Sequence, residues 1–213
     1  MKRAARGSAV ALLSVICLAG CQPIATMLYV LSGAGDIQAE YTGLKGKRVA
    51  VVCHPLVQLL YRNAGVAKDI AKQVSKKLKE HDSTIQLVSR KDIDDWADKN
   101  DNTDYVAIGK GVKADMVVGI DLESFSDLEG ATLYRGQAIC KIAVYDVKVG
   151  HDPVWERPMP KLLYPPNSAQ PANDCPEPEF CRKFVDTLAE SIARHFYDHP
   201  VADDFGRDAD TLK

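Results

Sequence analysis

The chain predicts an α/β fold of the α+β kind: a mixed, largely antiparallel sheet with amphipathic helices on its faces. Three patterns predict it. Val49-Ala50-Val51-Val52-Cys53 is a short continuous apolar run closed by His54-Pro55, which suits a strand buried on both faces. Val66, Ile70, Val74 and Leu78 recur every four residues, the stripe of a helix lying on a sheet. Met116, Val118, Ile120 and Leu122, and later Tyr134, Gly136, Ala138, Cys140, Ile142 and Val144, alternate with a period of two, as strands do.

Each element follows in order. Residues 21–45 read as a tether, punctuated by Gly33, Gly35 and Gly43, and a single domain is expected over 46–200. Its first strand is 47–53, followed by a helix over 64–79 whose lysines face water. A strand over 85–89 precedes a short acidic helix over 91–98, with Ile93 and Trp96 turned inward. Residues 104–110 form a helical turn that Gly109 and Gly111 stop. The alternating strand 116–123 comes next, then a loop at 126–130 and a long strand over 134–144, paired antiparallel with the one before it. Gly150-His151-Asp152-Pro153 turns the chain into a shorter strand at 154–156. Pro160, Pro165, Pro166, Pro171, Pro176 and Pro178 mark 160–178 as an irregular insertion. Phe184, Val185, Leu188, Ala189, Ile192 and Phe196 mark a last helix, and 201–213 is an acidic tail with few apolar anchors. The expected order is β-α-β-α-(α)-β-β-β-α.

The first residues read as an address rather than as fold. Lys2, Arg3 and Arg6 precede an apolar stretch, Ala9 to Leu18, that is too short to span a bilayer. It closes on Leu18-Ala19-Gly20-Cys21, which resembles the lipobox of bacterial lipoproteins. That resemblance implies a signal peptide over 1–20, a cut between Gly20 and Cys21, and a lipid thioether on Cys21. Met27 to Leu31 is apolar too, so 8–34 also reads as one uncleaved anchor, although Gln22 and Pro23 interrupt it. Either way the body lies outside the cytoplasm. In Gram-negative lipoproteins a residue other than Asp after the cysteine implies the outer membrane, and here it is Gln22.

Removal of 1–20 leaves 193 of the 213 residues, enough for one domain with a full core. The leader takes three of the 27 basic residues and none of the 29 acidic ones, which leaves the mature chain near −5. An acidic surface with no basic patch argues against nucleic acid as a partner. It also argues against electrostatic docking on anionic lipid, so a lipid anchor is the expected hold on the membrane.

Four cysteines remain in an oxidising compartment, and sequence alone allows three pairings among them. Cys175 and Cys181, six apart around two prolines, are the expected disulfide. Cys53 and Cys140 sit in strands, where they either form a second bridge or pack as small hydrophobes.

A wider resemblance rests on Arg48-Val49-Ala50-Val51-Val52, on Ile85-Gln86-Leu87-Val88-Ser89-Arg90, on Gly111 to Ile120 with its Ala114-Asp115, and on Lys141 to Asp146 with Val154-Trp155. Over roughly 46–157 and the last helix, the chain resembles the envelope lipoproteins and periplasmic domains grouped with the curli-secretion lipoprotein and the amino-terminal domain of TolB. The resemblance implies a fold and an envelope setting rather than a reaction. The glycine usual before Ala-Asp is displaced to Gly111, and no pore-forming hairpin pattern is evident.

No catalytic motif stands out. The five histidines (His54, His81, His151, His195, His199) lie in neither a Gly-x-Ser-x-Gly elbow nor a His-Glu-x-x-His helix, and Gly109-Lys110-Gly111 lacks the strand and third glycine of a dinucleotide loop. His195 and His199, four apart, could share a metal. With Pro200 ending the helix and no carboxylate beside them, they read as solvated residues at a helix C-terminus. Asp94, Asp95 and Asp98 read as a wet helix face, and the aspartates of the tail lack the glycine and glutamate of a calcium loop. No metal and no cofactor is expected. The expected function is a non-enzymatic binding or assembly accessory, anchored by lipid and meeting another envelope protein. The alternative is a small-ligand or hydrolytic domain using a crevice near His54, Asp121 and Tyr61.

Overall fold

The computed structural model of the chain describes residues 36–55, 65–100, 104–130 and 132–201. The strands are β1 (Asp36–Ile37), β2 (Arg48–Pro55), β3 (Gln86–Leu87), β4 (Met116–Glu129), β5 (Leu133–Asp146), β6 (Trp155–Pro158), β7 (Leu162–Tyr164), β8 (Gln170–Pro171) and β9 (His199–Pro200). The helices are α1 (Val66–His81), α2 (Arg90–Asn100), α3 (Tyr105–Gly111) and α4 (Glu177–Ala193), the last running into a 3-10 turn, Arg194–Phe196. Among the described residues, no helix is long and apolar enough to cross a membrane.

The main sheet runs β3-β2-β4-β5-β6, with β7 and β8 also paired to β5. β2 is parallel to β3 and to β4; the other pairs are antiparallel. The sheet is mixed and largely antiparallel, as expected, and it is open. β2 is apolar throughout because both its faces are covered. Val49, Val51 and Cys53 face α1 and α4 and join Ile70, Val74, Leu78, Phe180, Phe184, Leu188 and Ile192 in the larger core. Ala50 and Val52 face the other way and pack with Ile93, Tyr105, Ile108 and Val112 of the α2–α3 side.

Several elements extend beyond expectation. β4 does not stop at residue 123. A register shift between Leu122 and Ser124 interrupts the alternation and turns Phe125 into the core, so the strand continues to Glu129 through the expected loop. A β-bulge of this kind hides strand continuity from a period-two reading. The proline-rich insertion is not wholly irregular either: Leu162–Tyr164 and Gln170–Pro171 pair with the first half of β5. The expected tether over 21–45 is also shorter. From Asp36 the chain belongs to the domain, since β1 pairs with β9, the Tyr41 amide donates to the His195 carbonyl at 3.0 Å, and Leu44 is buried.

Local chemistry sets the helix ends. Asp104 caps α3, accepting from the Val106 amide at 2.8 Å. The glycines of α3 serve packing rather than a left-handed stop: a Cβ on Gly111 would strike the Trp96 indole, one on Gly109 would meet Val117 and Val147 at 2.6 Å, and it is Lys113 that takes the positive φ of 57°. Asp94 is not merely a wet face, since it lies 3.5 Å from Lys68 of α1 and 3.2 Å from Arg90. Glu190 ties α4 to α1. It sits 2.9 Å from Lys77 Nζ, 3.1 Å from Arg194 Nε and 2.7 Å from the donating Tyr197 hydroxyl. Burial would raise its carboxyl, but the bonds from Tyr197 and Lys77, the Lys77 charge and the Arg194 bond more than offset this and hold it at about 2.

On the larger core, the Phe184 ring lies flat over Gly136 of β5 and stacks on Phe125 with centroids 4.9 Å apart. A Cβ at 136 would stand 2.6 Å from that ring. Replacing a strand glycine ordinarily adds stability through the unfolded chain. Here Gly136→Ala is expected to lose about 1–3 kcal/mol by overpacking, read as a lower urea midpoint at unchanged slope.

Candidate functional site

Residues 1–35 and Tyr61 lie outside the described residues, and so do the proposed cleavage and lipidation positions Gly20 and Cys21. Two polar clusters stand out in the remainder, one on each side of the domain.

The first is built by strand register at the end of β2. The parallel pairing sets His54 beside Asp121, and the antiparallel pairing sets Asp121 beside Lys141, whose Nζ reaches Glu156 at 2.6 Å. A polar row therefore crosses the sheet. Tyr105 of α3 stands over it, its hydroxyl donating to Asp121 Oδ1 at 2.6 Å, its ring stacked on His54 (centroids 4.6 Å) and on Tyr145 (5.2 Å). Gly119 leaves room for that ring, since a Cβ there would lie 2.8 Å from it. Burial lowers the His54 pKa, which Asp121 opposes and Arg90 reinforces. Burial and the bond to Asp121 raise Tyr105 well beyond its usual range. Arg90 places Nη2 3.2 Å from Asp94, while its Nε and Nη1 are buried without a hydrogen-bond partner among the described residues.

The structure therefore brings His54 and Asp121 together as the alternative reading requires, but the arrangement is poor acid–base machinery. The Tyr105 hydroxyl is committed to Asp121 and hard to ionise. Cys53, next in sequence to His54, points to the opposite face, and burial raises its thiol far above the range of a reactive cysteine. Stacking and hydrogen bonding make this row a prop between α3 and the sheet.

The expected Cys175–Cys181 disulfide is not formed, nor is the possible Cys53–Cys140 bridge: all four are free thiols. β4 runs between β2 and β5, and Cys53 pairs with Ile120 while Cys140 pairs with Leu122, so the two lie two strand spacings and two residues apart, more than about 9 Å and beyond the ~7 Å that a disulfide can span. They pack as small hydrophobes, and burial pushes Cys140 up to about 12. The 175–181 segment is not a free loop, because α4 begins at Glu177. Cys175 is buried ahead of the helix, and Cys181 follows the buried Phe180 by one residue, turned about 100° away and half exposed.

The second cluster lies where β1 and β9 meet β6 and the end of α4. Tyr41, Trp155 and Phe196 pack ring on ring, with centroids 5.5–6.4 Å apart. Beside them Glu40 Oε1 lies 3.0 Å from His195 Nδ1 and Glu40 Oε2 lies 3.6 Å from Arg157 Nε. His195 Nε2 is 3.0 Å from the Met159 sulfur. A cavity of about 350 Å³ opens between Glu40, Arg157, Met159, Arg194, His195 and His199. The solvated reading of the two histidines is corrected here: the His195 side chain is 16% exposed and His199 is 8% exposed. A carboxylate does stand beside His195. Sequence reasoning missed it because Glu40 lies in the expected tether, 155 positions away, and Met159 borders the proline-rich insertion. The pair Tyr41 and Leu44, apolar at helical-turn spacing before Gly46, was the one signal that this stretch packs. Among the described residues, no group of three or more His, Cys, Asp or Glu is placed to hold a metal ion.

These features define a mixed α+β domain whose two ends are clasped beside a histidine-lined cavity. No family model and no curated protein matches the chain. Among solved structures it is similar to the PelC dodecamer from Paraburkholderia phytofirmans, with 9% identity and a TM-score of 0.44 over 76% of this chain and 97% of that one. It is similar also to lipoprotein GNA1162 from Neisseria meningitidis, with 10% identity and a TM-score of 0.42 over 68% and 97% of the two chains. A third is the LpoB C-terminal domain from Salmonella enterica, with 14% identity and a TM-score of 0.37 over 68% and 95%.

The lowered pKa of His54 fixes a pH dependence. The unfolded imidazole takes its proton near 6.5 and the folded one only at lower pH, so stability is complete above that value and falls as acid charges the unfolded state. The urea midpoint of the wild type is expected to fall as the pH drops below about 6.5, more steeply than that of His54→Phe.

Proposed function

We propose that this is a lipid-anchored envelope protein: acylated Cys21 holds the domain against a bilayer, and the domain serves, without catalysis, as a binding or assembly accessory to another envelope component. One observation carries the reading. The basic n-region, the short apolar stretch and Leu18-Ala19-Gly20-Cys21 stand in the order and spacing that lipoprotein maturation requires. The fold adds a distance. Only residues 22–35 separate Cys21 from β1, so the domain stays within roughly 50 Å of the membrane even at full extension. Confinement of that kind raises the effective concentration of any partner in the same layer, so weak contacts suffice. Gln22 favours the outer membrane, facing the periplasm.

The chemistry of the body fits a binder better than an enzyme. Buried thiols, a committed tyrosine hydroxyl and a histidine held neutral in a stack leave the His54 row without a nucleophile. On the partner side, the far half of the β4–β5 hairpin presents Leu128 and Leu133, each 37% exposed, beside the ion pair Arg135–Glu129. The second reading, a small-ligand site at His54, draws its support from Nε and Nη1 of Arg90, which have no partner among the described residues.

Intact-mass measurement of protein extracted from its native membrane is expected to show a chain beginning at an acylated residue 21. Cys21→Ala should leave the membrane fraction or retain its leader. In-cell crosslinking with mass spectrometry should recover one envelope protein with the wild type and lose it with Cys21→Ala. An unmodified chain still starting at Met1 would sink the anchor, and turnover or ligand-dependent stabilisation lost in His54→Ala would replace the accessory role.

A further inference from the structure

We infer that the cavity between α2, the end of α3 and the start of β2 binds a phosphoethanolamine group, a phosphate joined to an ammonium. The cavity measures about 350 Å³, and Arg48, Asp92, Asp95, Trp96, Lys99 and Lys113 line it around Gly111. Local structure gathers these groups. Asp92, Asp95, Trp96 and Lys99 stand at i, i+3, i+4 and i+7 of α2, one stripe of that helix. Arg48 shares the α2–α3 side of β2 with Ala50 and Val52 by strand alternation. Lys113 leaves the end of α3 at its positive φ of 57°. The half-buried Trp96 indole is seated on Gly111, which fixes it as part of the wall.

The charges on this wall are unspent. Asp95 and Lys99 have the acid-first i,i+4 spacing that favours a helical ion pair, and Glu179 and Lys183 close such a pair at 2.8 Å on α4. Among the described residues, however, Asp92, Asp95, Lys99, Lys113 and the Arg48 guanidinium make no ion pair. Arg48 Nε is also buried without a hydrogen-bond partner among the described residues, which is costly while no counter-charge is near. Asp115 is already committed: it accepts from the Arg48 amide at 3.0 Å and stands 3.8 Å from Lys148.

Three cations and two acids around one cavity select a ligand that carries both signs. Arg48, Lys99 and Lys113 suit a phosphate, to which they donate charge-assisted bonds. Asp92 and Asp95 suit an ammonium, and the Trp96 ring adds a cation–π contact. A zwitterion does not need the broad basic surface that this acidic chain lacks. Lipid headgroups and free esters both carry the group. The lipid source rests on the anchor at Cys21: residues 22–35 reach roughly 50 Å, more than the ~40 Å across a domain of this size, so the cavity can face the bilayer.

Glycerophosphoethanolamine, the headgroup without acyl chains, tests the site on the full chain in a phosphorus-free detergent. Saturable broadening of its ³¹P resonance is expected, together with a shift of the Trp96 indole ¹⁵N–H. Glycerol 3-phosphate lacks the ammonium, ethanolamine lacks the phosphate and alanine carries a carboxylate instead. Each should bind at least about tenfold more weakly. Arg48→Gln and Asp95→Asn should each cost a similar factor, while Asp98→Asn, off the stripe, leaves binding unchanged. Equal affinity in the wild type and Asp95→Asn would overturn the site, and so would alanine or glycerol 3-phosphate binding as tightly as the headgroup. Slower amide exchange over 90–100 in vesicles of phosphatidylethanolamine than of phosphatidylglycerol assigns the group to lipid. A response to the soluble probe alone assigns it to a free ester, and a response to neither overturns the proposal. The soluble probe needs no acylation, so failure here and failure of the anchor are seen separately.

Discussion

The architecture depends on β4 having two different neighbours and two covered faces. It runs parallel to β2 on one side and antiparallel to β5 on the other, so every backbone donor and acceptor over its first half is used within the sheet. Helices then lie on both faces. α1 and α4 bury Met116, Val118, Ile120 and Leu122 on one, while α3 and α2 bury Val117 and Gly119 on the other. Under such covering no polar side chain is tolerated without a partner, and the first one met along β4, Asp121, comes with its partner in Tyr105.

The same constraint accounts for the glycines. Gly119 and Gly136 lie on strands, where glycine is a poor residue by propensity, and each is overlain by an aromatic ring that a methyl group would displace. Tyr105 and Phe184 are thereby seated on opposite faces, and each brings its helix to a fixed height above the strands. Aromatic stacking continues outward, to His54 and Tyr145 on one side and to Phe125 and Tyr164 on the other.

The central fold was legible in the sequence because the elements with the clearest periods are also the most buried. The 66–78 stripe, the 49–53 run and the alternation of 116–122 and 134–144 all recur in the core. What was not legible has physical causes. A bulge at 122–124 broke the alternation, so the far half of β4 read as loop. β7, β8, β1 and β9 are two or three residues long, too short to show a period, and exist because a neighbouring strand accepts them. Of the candidate sites, the His54–Asp121 pairing follows from parallel register and could be guessed. The Glu40–His195–Met159 contact joins three segments brought together by tertiary folding alone, and the cysteine spacing misled at Cys175 and Cys181 because the helix starts at Glu177, between them.

The pairing of β1 with β9 has a mechanical meaning. The segment leading from the proposed anchor and the segment leaving the last helix lie antiparallel in a ladder only two residue pairs long. Tension from the bilayer would therefore arrive first at this small ladder and at the Tyr41–His195 bond behind it, and not at β2 or β4. With only two residue pairs it is the weakest ladder on that path, so its opening would lengthen the leash and leave the seven-stranded sheet intact.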